Sequence, residues 1–136
     1  MFEAFISINC LDGRSDSSAE AQARQNNRML AASPTLGRLW QNGAELCAHW
    51  PYPVAERPAS FAAEGAPTIL VIGTTADPAT PYQQAVDLAH KVLAKGFLLT
   101  YEGEGHTAYG RSNSCVSNVV DDFLIKGELP TSEPTC

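Results

Sequence analysis

The sequence predicts an α/β fold in which about three parallel strands alternate with flanking helices. Short apolar runs at residues 4–8, 68–72 and 97–101 are each followed by a segment with helical patterning. The middle run, Thr68-Ile69-Leu70-Val71-Ile72, has no polar alternation, which is the pattern of a strand covered on both faces. With 136 residues, 44% hydrophobic and 18% charged, the chain has the size and composition of a single domain over residues 1–136 with one core. Strands alternating with helices in this way build a parallel sheet through crossover connections.

The first run, residues 4–8, is read as a strand that ends at Asn9-Cys10-Leu11-Asp12-Gly13. Ser17-Ser18-Ala19-Glu20 then has capping-box spacing and opens a helix over 19–32, stopped by Ser33-Pro34. Asp16 and Glu20 suit the positive end of that helix's dipole. Residues 35–65 are rich in turn formers, including Pro51, Pro53 and Pro58. Leu36, Leu39, Trp40 and Leu46 stand near helical spacing there, ahead of Cys47-Ala48-His49-Trp50-Pro51. Two tryptophans and a cysteine make this stretch a packed connection rather than a linker.

Pro67 leads into the strand at 68–72 and Gly73 ends it. Thr80-Pro81 reads as an N-cap followed by proline at the first helical position, opening a helix that reaches Lys95-Gly96. Ala85, Leu88, Ala89, Val92 and Leu93 form its apolar stripe. The third strand is 97–101. The last helix, 115–126, carries Val116, Val119, Val120, Phe123 and Leu124 inward and is closed by Gly127. Three strands leave two exposed sheet edges, which invite self-association.

Nine basic against fifteen acidic residues give a net charge of −6, without the clustered Lys and Arg that a nucleic-acid partner requires. No apolar stretch approaches the roughly 20 residues of a membrane-spanning helix. Met1-Phe2-Glu3-Ala4-Phe5-Ile6 has neither the basic region nor the cleavage site of a signal peptide and reads as the start of structure. Cys10, Cys47, Cys115 and Cys136 are widely spaced and contain no CxxC pair. Cys136, at the end of a proline-containing tail, makes sense as a staple, although four reduced cysteines also fit the spacing. Staples imply an oxidising compartment, and hence a leader that these residues do not contain.

In open parallel sheets functional groups gather beyond the carboxyl ends of the strands. Asp77 stands in Gly73-Thr74-Thr75-Ala76-Asp77-Pro78-Ala79-Thr80-Pro81 after the second strand, and His106 stands in Glu102-Gly103-Glu104-Gly105-His106-Thr107 after the third. A carboxylate beside an imidazole fixes the ring's tautomer and stabilises the imidazolium while the other ring nitrogen takes a proton. Gly103 and Gly105 permit the sharp turn that aims a side chain inward. Taken singly, Asp77 before a proline is a common turn residue and His106 an ordinary loop histidine. Their order and their places at strand ends favour the joint reading.

Weaker candidates stand beside them. Cys47 and His49 are two metal-type ligands with no second pair at ligand spacing, so neither a metal nor any other cofactor is expected. His90 reads as a solvated surface residue. Asp12 and Asp16 follow the first strand and would meet a substrate's amino terminus, with an N-cap role for Asp16 as the alternative. Tyr109 and Trp50 are either pocket walls or buried packing.

These stretches together resemble the C-terminal portion of an α/β-hydrolase, and more narrowly the tripeptidyl-aminopeptidase-like (TAP-like) secreted serine peptidases of actinobacteria. The resemblance is carried by Ala4-Phe5-Ile6-Ser7-Ile8-Asn9-Cys10-Leu11-Asp12, by Cys47-Ala48-His49-Trp50-Pro51, by residues 67–81, by Gly103-Glu104-Gly105-His106-Thr107, and by Cys115 with Cys136. It implies a partial α/β-hydrolase fold stapled by Cys10 with Cys47 and by Cys115 with Cys136. It also implies Asp77 as the acid and His106 as the general base of a Ser, Asp, His triad.

The nucleophile of that fold sits on a GxSxG elbow, and no GxSxG occurs here; Gly110-Arg111-Ser112-Asn113-Ser114 lacks the second glycine and follows the histidine. The expectation is therefore a C-terminal segment of a secreted or cell-envelope serine hydrolase, an aminopeptidase releasing short peptides. Its serine and oxyanion hole lie in an upstream portion, and the segment is inactive alone. The alternative is a disulfide-stapled α/β binding or accessory module without chemistry, whose acidic loop at 102–104 is a contact surface.

Overall fold

A computed structural model describes residues 2–13, 16–41, 45–54, 56 and 58–136, with Glu45 described by its backbone alone. They form two compact units, Met1–Pro58 and Ala59–Cys136.

The first unit is helical. Helix α1 spans Phe2–Asp12, which corrects the strand expected at residues 4–8. A five-residue apolar run fits either a strand or a helix, and here local bonding favours the helix. The Ser7 hydroxyl donates to the Glu3 carbonyl at 2.8 Å, and the Asn9 amide donates to the Phe5 carbonyl at 2.7 Å. Both are the contacts polar side chains make one turn back along a helix.

Helix α2 spans Ala19–Ala32. Its cap is Ser18, whose hydroxyl accepts from the Ala21 N–H at 3.3 Å; the cap thus lies one residue later than the Ser17 spacing suggested. It ends at Ala32, where Ser33 takes extended geometry and Pro34 follows. A 3₁₀ turn, Leu36–Trp40, and a single helical turn, α3 at Glu45–Ala48, complete the unit. Cys10 of α1 and Cys47 of α3 form a disulfide with Cα atoms 5.1 Å apart, and Cys10 is 1% exposed.

The second unit is a layered α/β structure. Strand β1, Ile69–Ala76, pairs in parallel with β2, Gly96–Glu104. Both strands run farther than the sequence suggested, through Thr74 and Thr75 in β1 and through Glu102-Gly103-Glu104 in β2. They are the only named strands among the described residues, so the expected three-stranded sheet is corrected to two. Where a third strand would flank β2, the chain terminus makes an isolated parallel bridge, Thr135 to Thr100. The Thr100 N–H donates to Pro134 at 3.0 Å, and the Cys136 N–H donates to Thr100 at 2.8 Å.

Side-chain alternation sends the two faces of this sheet into separate cores. Leu70, Ile72, Leu99 and Tyr101 pack with Val116, Val119 and Val120 of helix α5, Ser114–Lys126. Ile69, Val71 and Leu98 pack with Tyr82, Ala85, Val86, Ala89 and Leu93. This two-sided cover is why residues 68–72 are apolar without alternation. Leu99 and Val116 are fully enclosed, and burial of such a side chain contributes about 1.5–3 kcal/mol. Asn113 caps α5 by accepting from the Val116 N–H at 2.9 Å, and Gly127 closes it in left-handed geometry.

The crossover differs from the single helix expected over 81–95. Helix α4 covers Tyr82–Asp87, and a π-helical turn covers Leu88–Val92. Beyond it the Ala94 N–H donates to Ala62, and the Lys95 carbonyl accepts from Ile69, which removes both residues from any helix. The i→i+5 bonding of the π turn, with more residues per turn, breaks the 3.6-residue phase. Leu88 and Val92, expected in the apolar stripe, are accordingly 41% and 38% exposed.

The second disulfide joins Cys115 to Cys136. It holds the tail that lies along β2, where the Glu133 carboxylate accepts from the Leu98 N–H at 2.8 Å and pairs with His90 Nε2 at 2.9 Å. His90, expected to be merely solvated, is half-exposed and paired.

Candidate functional site

Asp77 immediately follows β1, and His106 lies just beyond β2. Because the strands are parallel and adjacent, both loops leave the same end of the sheet, and residues 29 apart in sequence come into contact. His106 Nδ1 lies 3.0 Å from Asp77 Oδ2 and 3.2 Å from Oδ1. An ionised carboxylate only accepts, so Nδ1 carries the proton and Nε2 is the nitrogen left with a lone pair. The imidazole is 53% exposed while the Asp77 side chain is 6% exposed. The pair therefore has an enclosed acid and an accessible base.

The local sequence around Asp77 supplies donors. The Ala79 and Thr80 N–H groups donate to Oδ1 at 2.8 and 3.0 Å, and the Thr80 hydroxyl donates to Oδ2 at 2.9 Å. The Thr80 N–H is the largest influence holding the Asp77 carboxyl far below the usual carboxylate range, followed by Ala79, His106 and the Thr80 hydroxyl; partial burial opposes them. This arrangement corrects the N-cap reading of Thr80, because its hydroxyl serves Asp77 and Pro81 precedes α4 without a side-chain cap. Asp77 is a turn residue and an imidazole partner at once.

His106 is aimed by its neighbours. Gly105 has φ 107°, and Thr107 has φ 70°, which a β-branched side chain adopts at a cost of about 1–2 kcal/mol. Ala108, buried in the α5-side core, anchors the far end of this loop and accepts from Arg111, Ser112 and the Ser112 hydroxyl. Tyr109 is not buried: it is half-exposed, and its hydroxyl donates to Asp121 at 2.6 Å. That carboxylate raises the Tyr109 phenol above its ordinary value.

The remaining candidates lie in the first unit. Cys47 is oxidised with Cys10 and has no thiolate to offer a metal. Asp12 ends α1, so it does not follow a strand. Asp16 accepts from the Ser18 N–H at 2.9 Å, the main influence lowering its carboxyl, and lies 3.9 Å from Arg24. Trp50 sits 5.9 Å from Tyr52, ring to ring, with its indole N–H enclosed. The sequence reading missed Thr75, whose hydroxyl contacts the Gly103 backbone, and Glu133; exposed polar residues of this kind carry no periodic signal.

A carboxylate beyond one parallel strand set against a histidine beyond the next is the arrangement that α/β-hydrolases use. Comparison with known proteins narrows it: the family model described as TAP-like protein matches residues 33–136, and the chain belongs to that family. Carboxylesterase B of Mycobacterium tuberculosis is 35% identical over 98% of this chain and 26% of its own length. Serine protease Hip1 of the same organism is 34% identical over the same shares. Tripeptidyl aminopeptidase of Streptomyces lividans is 25% identical over 97% of this chain and 25% of its own length. The chain thus spans about a quarter of the length of the curated relatives it matches.

Proposed function

We propose that this chain is the acid-and-base segment of a secreted serine hydrolase that removes short peptides from the amino termini of polypeptides. The observation that carries the reading is the Asp77 Oδ2 to His106 Nδ1 contact at 3.0 Å, with an enclosed carboxylate and an accessible ring. A serine in the larger part of the family's length, outside these residues, is the nucleophile. His106 Nε2 takes the hydroxyl proton as Oγ attacks the scissile carbonyl, then gives it to the departing amine as the acyl-enzyme forms. Water repeats the sequence to release the acid. Asp77 holds the tautomer and stabilises the imidazolium, and its depressed pKa keeps it ionised throughout.

A secreted or envelope setting is supported by the two disulfides and by kinship to the protease and aminopeptidase named above. Among the described residues no helix is long and apolar enough to cross a membrane. The nucleophile-bearing portion is the partner this reading requires, and the edge of β1 that pairs with no other strand among the described residues is where it or a second copy would add.

The test uses the complete hydrolase with a tripeptide anilide and an activated ester as substrates. His106→Ala and Asp77→Asn are each expected to lower kcat by about 10³-fold or more, while residues 1–136 alone turn over neither substrate. Full activity in His106→Ala would defeat the reading and leave the non-catalytic module. Ester hydrolysis without peptide release would replace the aminopeptidase with an esterase, the activity in carboxylesterase B's name.

A further inference from the structure

We propose that Thr75 is a positioning residue for the Asp77–His106 pair, its hydroxyl closing a β-bulge and so fixing the two loops that carry the acid and the base. This inference rests on the proposed triad role of that pair. Pairing between β1 and β2 keeps one register from Ile69 with Gly96 through Thr74 with Tyr101, and then Ala76 pairs with Glu104. Strand β2 therefore contains one residue more than β1 over this step. Such a bulge leaves backbone groups without ladder partners and turns the chain that follows it. Because side chains alternate, one added residue also reverses which face each later side chain takes.

Thr75 stands opposite the extra residue. Its Oγ1 accepts from the Gly103 N–H at 3.2 Å and donates to the Gly103 carbonyl at 3.4 Å, so one hydroxyl serves both groups of the bulged residue. A Cβ at Gly103 would lie 2.3 Å from Cζ of Tyr101, so a side chain there would displace a ring that packs against the α5-side core. The bulge is thus held across the ladder by Thr75. Asp77 and His106 leave the sheet directly beyond this point. Loss of the hydroxyl frees the Gly103 peptide plane and lets the His106 loop shift relative to Asp77, and small misplacements of a catalytic pair lower rates steeply.

Thr75→Val keeps the β-branched shape and removes only the hydroxyl, whereas Thr75→Ser keeps the hydroxyl; Thr75→Ala is a second hydroxyl-free variant of different shape. Two readouts are taken on the complete hydrolase: kcat and KM, and the strongly downfield proton resonance of the His106 Nδ1–H bonded to Asp77. Thr75→Val and Thr75→Ala are expected to lower kcat about tenfold with KM within about twofold, and to weaken or abolish the resonance. Thr75→Ser is expected to restore both.

Wild-type kcat and an intact resonance in the hydroxyl-free variants would overturn the proposal, as would equal loss in Thr75→Ser. The resonance keeps the two readings apart. If His106→Ala leaves hydrolysis unchanged, the catalytic reading fails, while the resonance in Thr75→Val still decides whether Thr75 holds the pair.

Discussion

The two units of this chain bury their apolar residues to different extents. In Ala59–Cys136 the sheet is covered on both faces, and Leu99 and Val116 are fully enclosed. In Met1–Pro58 the enclosed large side chain among the described residues is Cys10, a disulfide partner, while Phe2 is 72% and Trp40 71% exposed. One unit is held by packing; the other depends on a covalent tie between short helices. The Asp77–His106 pair sits in the packed unit, where a filled core fixes the strand ends that carry it.

Removal of the disulfides gives the largest effect on this contrast. The Cys10–Cys47 bridge closes 37 residues and the Cys115–Cys136 bridge 21, for which the chain-entropy relation gives about 4 and about 3 kcal/mol. Replacing Cys10 and Cys47 by Ser is expected to strip hydrogen-exchange protection from α1 and α3 while β1 and β2 keep theirs. Replacing Cys115 and Cys136 should release the tail and leave the Leu99 core protected. Equal loss in both units from the first variant would refute the contrast.

A smaller effect concerns the tail within the packed unit. Burial opposes ionisation of Glu133, but the Leu98 N–H and His90 outweigh it and lower its carboxyl below the ordinary value. A depressed acid contributes stability above its unfolded pKa, and that contribution is lost as pH falls through the lower, folded value. The Glu133→Gln variant is therefore expected to be less stable than wild type by about 1 kcal/mol or less near neutrality. The difference should shrink as pH falls below the ordinary glutamate value of about 4.3 and vanish only below the depressed, folded one, as measured by urea unfolding across pH. A difference that grows toward acid would contradict the assignment.

The smallest effect on stability comes at the loop that aims His106. Thr107→Gly relieves a left-handed β-branched residue but adds unfolded-state freedom, two terms of about 1 kcal/mol that nearly cancel. Melting temperature is expected to change little while kcat falls several-fold, because the flanking backbone no longer fixes the ring. Unchanged kcat would mean that core anchoring through Ala108 alone aims the histidine.

Much of the packed unit is legible in the amino-acid sequence. Residues 68–72 and 97–101 are apolar on both faces, the last helix has a clear stripe, and Gly127 marks its end. Asp77 and His106 are legible as a pair because each follows a parallel strand. The first unit is less so: residues 4–8 lack the length and alternation that separate a strand from a helix. The helix predicted over 81–95 fails at its ends, since Thr80 turns to Asp77 and Ala94 and Lys95 find backbone partners elsewhere.

What the sequence by itself determined is therefore the material of the site: two parallel strands, an acid and a histidine beyond them, and cysteines able to tie down the flanking segments. These follow from local hydrophobic pattern and from residue chemistry. The cysteine pairings implied by the family resemblance are the ones formed, and tertiary structure decided the rest: that the chain terminus rather than a third strand bridges β2, and that a one-residue bulge contacted by Thr75 lies just before the loops of the pair. Register, edge pairing and hydrogen bonds between distant residues depend on contacts across the fold, and no local pattern in the chain records them.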